Sequence, residues 1–311
     1  MAWNLLSIAL GLGILILAGD ALVKGAVNLA LRLGIPALVV SLTVVAFGTS
    51  APELLVSVQA ILDGAPGLAL GNVVGSNTAN VLLVLGVPAL IATLHTSGHD
   101  TRRDYLYMLA GTALFIALCF TGRLVWWHGL VLLALLAAIL VATFLASRTA
   151  EGGGDAVEEA DDSLPGWKLG LFLVLGLAGL PLGAKLLVDG ATEVARVFGL
   201  SEAAIGLTLV AIGTSLPELA TTVMAAIRRH ADVALGNVIG SNTFNLLAIM
   251  GAAVLVGPVP VDPEFLRVEL WVMAGASLLL LPFVFMGRDL TRRWGIALSA
   301  AYVVYLGTVL T

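Results

Sequence analysis

The chain has 311 residues, of which 59% are hydrophobic and 11% are charged, and its mean hydropathy is +1.06. A soluble globular domain carries about 25% charged residues. This composition therefore excludes a soluble globular domain and places most of the chain in lipid. The net charge is -5, and the 15 Lys and Arg residues are scattered between apolar runs, which excludes a basic nucleic-acid surface. The single cysteine, Cys119, excludes an intrachain disulfide or a cysteine metal cluster.

Ten apolar stretches are long enough to cross a membrane, which takes about 20 predominantly apolar residues. Clusters of charge, Gly and Pro separate them at residues 3–31, 36–62, 67–93, 104–121, 124–147, 167–198, 202–227, 233–257, 266–286 and 294–310. The first stretch has no basic segment before it and contains Asp20 and Lys24, so it is expected to be a retained helix and not a cleaved signal. The sequence therefore predicts an all-α membrane protein with ten transmembrane helices.

A polar segment at residues 148–166 separates five stretches from the other five. It contains the sequence EGGG and six acidic residues, which is typical of a flexible linker. The predicted domains are a first five-helix repeat at 1–147, an acidic linker at 148–166 and a second five-helix repeat at 167–311.

The two halves contain an internal repeat. Residues 43–86 align without a gap to residues 208–251 at a constant offset of 165, with 23 identities in 44 positions. Because each half has an odd number of spans, the second copy enters the membrane from the opposite side. The sequence thus predicts an inverted-topology repeat, an arrangement found mainly in transporters.

Orientation follows from the loops that carry Lys and Arg, which accumulate on the cytoplasmic side. Outside the helices, one set of loops holds Arg32, Arg102, Arg103, Arg148, Lys168, Arg228, Arg229, Arg288, Arg292 and Arg293, and the other set holds Arg123, Arg196 and Arg267. This bias predicts a cytoplasmic linker and both termini outside.

The polar residues of the repeat are concentrated in two blocks within each half. The first half has GTSAPE at 48–53 and GNVVGSNTAN at 71–80, and the second has GTSLPE at 213–218 and GNVIGSNTFN at 236–245. An ionisable group inside a membrane costs at least about 2.5 kcal/mol and usually has a function. Glu53 and Glu218 are therefore the leading candidates for a transport site, although a structural pair of buried carboxyl groups is the simpler alternative.

The neighbouring residues offer further oxygen donors. Pro52 lacks an N–H and clashes with the carbonyl of Gly48, and Pro217 does the same to Gly213, so both helices are expected to break there and release carbonyl groups. Hydroxyls and amides add to the set: Thr49, Ser50, Thr214, Ser215, Asn80 and Asn245. An all-oxygen set with two carboxylates suits Ca²⁺ or Na⁺ and argues against Zn²⁺, Cu or Fe.

The duplicated pattern GTS-x-PE with GN-[VI]-[VI]-GSN-x-x-N resembles the alpha-repeats of the Na⁺/Ca²⁺ exchanger branch of the cation/Ca²⁺ antiporter superfamily. The resemblance implies that Thr49, Ser50 and Glu53 in one half bind ions. Their counterparts in the other half would do the same, and the Na⁺ positions would be completed by four further residues: Ser76, Asn80, Ser241 and Asn245. It also implies antiport of Ca²⁺ for Na⁺ by alternating access, with no cofactor and no partner other than these ions and the bilayer. The ten-span layout resembles that of the prokaryotic members, which implies a prokaryotic inner membrane. Because Asn80 and Asn245 are neutral, K⁺ cotransport is not expected.

Three other functions fit parts of the sequence. A H⁺/Ca²⁺ exchanger of the same superfamily is disfavoured because that branch tends to carry a glutamate after its GN motif, where this chain reads GNVVGSN and GNVIGSN. A cation channel could use the same two glutamates in a selectivity element. An intramembrane hydrolase, with Ser50 or Ser215 as nucleophile, is disfavoured because neither block contains a histidine to act as base, so we expect no enzyme.

Two pairs of opposite charges also lie within the apolar stretches. Asp20 and Lys24 are four residues apart, and Lys185 and Asp189 occupy the equivalent repeat positions with the signs reversed. Opposite charges at this spacing share one helix face and compensate each other. We therefore interpret them as structural pairs, on helices that move against the core as units.

Overall fold

A computed structural model describes residues 2–35, 37–96, 101–149, 165–198 and 211–310. The described chain is almost entirely helical. The α-helices are α1 Ala2–Leu33, α2 Ala37–Val40, α3 Ala46–Thr49, α4 Ala51–Leu62, α5 Pro66–Ala79, α6 Gly86–Ile91, α7 Arg102–Cys119, α8 Trp126–Thr149, α9 Gly166–Val197, α10 Ala211–Thr214, α11 Leu216–Ile227, α12 Ala231–Phe244, α13 Met250–Val256, α14 Pro263–Arg267, α15 Glu269–Leu278, α16 Leu281–Phe285 and α17 Arg292–Leu310.

The outside of the molecule is apolar and its interior holds polar groups. Leu17, Leu55 and Val303 are about 70% exposed, whereas both Glu53 and Glu218 are buried. By length and hydropathy, six helical stretches of the described chain can each cross a membrane, or seven if the bent pair Ala37–Thr49 and Ala51–Leu62 counts as one span. This is the surface of an integral membrane protein.

The predicted count of ten spans exceeds the number that meets this criterion. The predicted span at 104–121 corresponds to α7, which is helical but carries Arg102, Arg103 and Asp104 in its first turn. The predicted span at 202–227 is described only from residue 211, and most of the predicted linker lies outside the described residues.

The longest helices, α1 and α9, pack against each other along their length. Each has 32 residues, so each is about 48 Å long, more than the roughly 30 Å of a hydrocarbon core. Glycines allow the close approach: a Cβ at Gly176 would lie 2.6 Å from Leu22 Cβ, and one at Gly11 would lie 2.6 Å from the Leu187 nitrogen. The two contacts are equivalent under the 165-residue offset.

A small β-ribbon departs from the all-α expectation. Strand β1, Arg123–Leu124, follows α7 and pairs antiparallel with β2, Val259–Pro260, which follows α13. Leu124 and Val259 are fully buried, so the two connections cross the end of the bundle as extended chain under a hydrophobic contact. A two-residue strand is too short to show an alternating pattern in the sequence.

Several predicted spans are interrupted helices. The polypeptide passes through π-helical turns at Ser41–Val45, Asn80–Val84 and Asn245–Ile249. The last two occupy equivalent repeat positions, and each begins with an asparagine of the predicted site. Such wide turns are uncommon and often accompany functional sites.

Candidate ion-binding site

The glutamates lie at the beginning of helices that follow a break. Helix α3 ends and α4 begins at Ser50, where the backbone leaves helical geometry (φ -83°, ψ 6°), and the axis of the span bends by 42°. The second half has the same break at Ser215 (φ -86°, ψ 4°). Pro52 and Pro217 lie in the first turns of the new helices, where a missing N–H is tolerated. Both glutamates therefore project from the first turn of a helix inside the protein.

The two carboxylates are buried. Glu53 is 1% exposed and Glu218 is 0% exposed. The Ser50 hydroxyl of the first half donates a hydrogen bond of 3.0 Å to Glu218 Oε1 of the second half. Within the described chain, Oε2 of each glutamate has no hydrogen-bond partner. Buried carboxylates that keep free oxygens are suited to binding a cation.

A second set of buried oxygens comes from the GN motifs. Asn77 and Asn242 donate to each other's backbone carbonyls, both at 3.3 Å, and Asn80 Nδ2 donates to Asn242 Oδ1 at 3.0 Å. These bonds cross between the halves. Within the described chain, Asn80 Oδ1 and Asn245 Oδ1 have no hydrogen-bond partner. The free amide oxygens lie where the π-helical turns begin.

All twelve predicted site residues fall in the described part of the chain. The Thr, Ser, Glu and Asn members are at most 9% exposed: Thr49, Ser50, Glu53, Ser76, Asn80, Thr214, Ser215, Glu218, Ser241 and Asn245. Hydroxyl oxygens of Ser215 and Ser241 join the free oxygens of the glutamates and asparagines. Uncompensated buried oxygens are costly without a partner, and a hard cation would supply one.

The two glycines of the predicted set have a visible packing role. A Cβ at Gly48 would lie 2.0 Å from Leu177 Cδ2, and one at Gly213 would lie 2.4 Å from Val188 Cγ2. Side chains of α9 therefore pack directly on both glycines, and a larger residue at either position would force Leu177 or Val188 to move. A role of their carbonyl groups in ion binding stays a prediction.

Residues that sequence analysis left without a role hold the glutamates in place. Asn72 Nδ2 donates to the Glu53 carbonyl at 3.2 Å and to Ser57 Oγ at 2.9 Å. Asn237 Nδ2 donates to the Glu218 carbonyl at 3.2 Å and to a hydroxyl, Thr222 Oγ1, at 3.0 Å. Both asparagines follow the first glycine of a GN motif, so their duplication was the signal that could have identified them.

The donor chemistry of the site suits hard cations. Among the described residues, no group of three or more His, Cys, Asp or Glu side chains that could hold a metal occurs. The buried set consists of carboxylate, hydroxyl and amide oxygens, the ligands of Ca²⁺ and Na⁺. An all-helical membrane protein with such a site is of the ion-transporter class.

The chain belongs to the sodium/calcium exchanger protein family, whose model matches residues 3–145 and again residues 168–311. The family that the duplicated motif led us to expect is thereby confirmed. The two matches also divide the chain at the acidic segment.

Similar proteins cover nearly the whole chain. The putative antiporter CaxA of Alkalimonas amylolytica is 36% identical over 96% of both proteins. The sodium/calcium exchanger MaX1 of Methanosarcina acetivorans is 35% identical over 97% of both. A solved structure of the sodium-calcium exchanger NCX_Mj, soaked with zero Na⁺ and Ca²⁺, is 32% identical and superposes with a TM-score of 0.85 over 99% of both chains.

Proposed function

We propose that this protein exchanges Ca²⁺ for Na⁺ across the membrane by alternating access at one central site built around Glu53 and Glu218. The observation that carries the proposal is the buried pair of glutamates, each with a free carboxylate oxygen, joined across the halves by the Ser50 hydroxyl. Two ionised carboxylates balance one Ca²⁺ and can instead serve several Na⁺ ions. Relatives named as sodium/calcium exchangers support the choice of ions.

The proposed architecture is ten transmembrane helices in two inverted five-helix repeats. Its support is the repetition of hydrogen bonds at the 165-residue offset. Asn72 and Asn237 bind the glutamate carbonyls alike, and Asn77 and Asn242 exchange equivalent bonds. An interface related by a two-fold axis has such reciprocal contacts.

The proposed orientation has the acidic linker in the cytoplasm and both termini outside, in a prokaryotic inner membrane. Its support is the predominance of Lys and Arg in the loops on the linker side. The twelve predicted site residues are proposed as ion ligands: the two GTS-x-PE breaks supply Gly48, Thr49, Ser50, Glu53, Gly213, Thr214, Ser215 and Glu218, and the two GN motifs supply Ser76, Asn80, Ser241 and Asn245.

The counter-ion is tested in reconstituted vesicles that are loaded with Na⁺ or with acid and diluted into radiolabelled Ca²⁺. We expect rapid Ca²⁺ uptake into the Na⁺-loaded vesicles and none above background into acid-loaded vesicles without Na⁺. Vesicles loaded with K⁺ at neutral pH provide the matched control. Uptake driven by acid alone would identify a H⁺/Ca²⁺ exchanger, and uptake into the control vesicles would identify a channel.

A further inference from the structure

Two asparagines bind the backbone at the proposed ion ligands in the same way in both halves. Asn72 and Asn237 each use their two amide hydrogens on the carbonyl of a glutamate and on a hydroxyl four residues later. These bonds connect α5 to α4 and α12 to α11. Asn237 Oδ1 also accepts a hydrogen bond of 3.3 Å from the Thr49 hydroxyl of the other half.

We infer that Asn72 and Asn237 are positioning residues for the carboxylates of Glu53 and Glu218, an inference that rests on the proposed function. A side chain in the first turn after a helix break has no preceding turn to hold its backbone, so the amide supplies that restraint. The asparagines act through the glutamates, because their amide nitrogens are the groups at the glutamate carbonyls and a donor does not bind a cation, while Asn237 Oδ1 accepts the bond from Thr49.

The test replaces each asparagine by leucine, which has a similar size and no donor. Asn72→Leu loses two hydrogen bonds and Asn237→Leu loses three. At about 1 kcal/mol each, partly regained by relaxation, their loss should raise the Ca²⁺ concentration for half-maximal exchange at least about tenfold. The maximal rate should stay within about twofold, and the preference for Ca²⁺ over the larger Sr²⁺ should fall. Ser41→Ala is the matched control, because its hydroxyl makes a buried bond of 2.7 Å to the Val233 carbonyl.

The control should lower thermal stability without changing the Ca²⁺ dependence. If the leucine variants do not fold, Ser57→Ala removes one bond, the one from Asn72, and should raise the half-saturating Ca²⁺ about threefold. Thr222→Val removes two, the bond from Asn237 and the bond of 2.7 Å that the Thr222 hydroxyl donates to the Glu218 carbonyl, and should raise it at least as much. An unchanged half-saturation and Ca²⁺/Sr²⁺ preference in folded variants would overturn the assignment. Because exchange itself persists in these variants, this failure is distinct from a failure of the proposed function.

A separate observation concerns an ion pair that joins the two halves. Asp20, on α1, accepts a hydrogen bond of 2.6 Å from Arg228 Nε and contacts Nη2 of the same guanidinium. Arg228 is the residue that follows α11. Asp20 also pairs with Lys24 at 3.0 Å, as the spacing predicted. The Asp20–Arg228 pair fixes α1 against α11, along which it packs.

The positions that correspond to Asp20 and Arg228 in the other half also carry one acidic and one basic residue, with the signs reversed. At the offset of 165 residues, Asp20 corresponds to Lys185 and Arg228 corresponds to Asp63. Both members of the pair have changed sign together. The two positions therefore still attract each other, although both residues differ between the halves.

The second pair is not formed in this structure. Lys185 is bound to Asp189 on its own helix at 2.8 Å, and Asp63 accepts a hydrogen bond of 2.8 Å from Gln59. Helices α9 and α4, the counterparts of α1 and α11, make hardly any contact. Leu55 on α4 is 71% exposed, whereas its counterpart Ala220 lies against Gly19 of α1. One interface is therefore closed and its counterpart is open.

The geometry points to two alternating latches. In an inverted repeat, exchanging the conformations of the halves produces the state that opens to the other side. We propose that Asp20–Arg228 closes one side in the present state, and that Lys185–Asp63 closes the opposite side in the other state. The proposal rests on the proposed alternating access. Because one ion pair forms as the other breaks, each state has one of the two latch pairs formed and one broken.

Cross-linking tests for the contact that this structure does not contain. In a Cys119→Ala background, the cysteine pair Asp63→Cys/Lys185→Cys should react with a short, reducible bifunctional thiosulfonate in membranes, as should Asp20→Cys/Arg228→Cys. Each cross-link should stop Ca²⁺ exchange, and reduction should restore it. Asp20→Cys/Asp63→Cys is the control pair and should not react.

Charge reversal tests the attraction itself. Asp63→Lys or Lys185→Asp alone should slow exchange about fivefold, the upper range for a partly exposed ion pair, and the double exchange should restore it. Glu193→Gln, which removes the exposed ion pair with Arg196 on the same helix and leaves both latch residues unchanged, serves as the control and should not slow exchange. If Asp63→Cys/Lys185→Cys stays unlinked in protein that exchanges Ca²⁺, or the double reversal gives no rescue, the latch is refuted while the proposed function stands. If the unmodified protein exchanges no Ca²⁺, the proposed function has failed instead.

Discussion

Replacing one glutamate by glutamine should remove Ca²⁺ binding almost completely. Glu53→Gln or Glu218→Gln keeps the size of the side chain and one carbonyl oxygen but leaves the ion opposite one charge instead of two. Both positions are at most 1% exposed, so water cannot compensate. The effect is expected in equilibrium binding and not only in the transport rate.

The size of this effect follows from Coulomb's law. A unit charge about 2.4 Å from a divalent ion contributes about 14 kcal/mol at an effective dielectric constant of about 20. If dehydration of the carboxylate and the ion offsets all but a quarter, about 3.5 kcal/mol remains, which corresponds to a roughly 300-fold weaker affinity. Na⁺, with half the charge, should lose less than Ca²⁺ does.

The assay is titration calorimetry of purified protein with Ca²⁺, with size-exclusion profiles to verify that each variant is folded. Glu269→Gln is the matched control, because Glu269 lies outside the site and accepts a hydrogen bond of 2.9 Å from the Tyr305 hydroxyl. The control should bind Ca²⁺ as the unmodified protein does. Wild-type affinity in both site variants would refute the two-glutamate site.

Three further predictions concern topology, structural charges and voltage. A cysteine at Ser163, which lies outside the described residues, in a Cys119→Ala background should react with an impermeant maleimide only after the cytoplasmic face is opened; labelling in intact cells would reverse the orientation. Lys24→Met and Asp189→Asn should lower the yield of membrane protein without changing Ca²⁺ affinity in calorimetry, because they remove intrahelical ion pairs and none of the proposed ligands; a large loss of affinity would contradict this. If three Na⁺ exchange for one Ca²⁺, one surplus charge worth about 2.3 kcal/mol per 100 mV crosses the membrane, so an interior-positive potential should raise Ca²⁺ uptake into Na⁺-loaded vesicles; uptake indifferent to the potential would exclude that ratio.

The positions of the site residues could be predicted because the sequence encodes them twice. A buried glutamate beside a helix-breaking proline is energetically costly. Its recurrence at the same repeat position in both halves is improbable unless it has a function. The breaks at Ser50 and Ser215 follow from the missing N–H of Pro52 and Pro217, a local property of the chain. Duplication and local chemistry together therefore placed both carboxylates in the interior.

Other features depend on contacts that are distant in sequence. The π-helical turns at Asn80 and Asn245 add one residue to a turn, and the hydrophobic pattern of a fully buried helix does not record that addition. Arg228 reaches Asp20 across 208 residues, whereas the sequence revealed only the neighbouring partner, Lys24. The asparagines that hold the glutamate carbonyls were visible as a motif but had no assigned role.

Simultaneous recording of Na⁺ and Ca²⁺ flux in one vesicle preparation tests most directly whether the two ions exchange at one coupled site. In Na⁺-loaded vesicles, Ca²⁺ entry should be matched by Na⁺ exit at a fixed ratio. Both fluxes should disappear together in Glu53→Gln and in Glu218→Gln. Calcium entry without Na⁺ exit, or full exchange in either variant, would contradict the account.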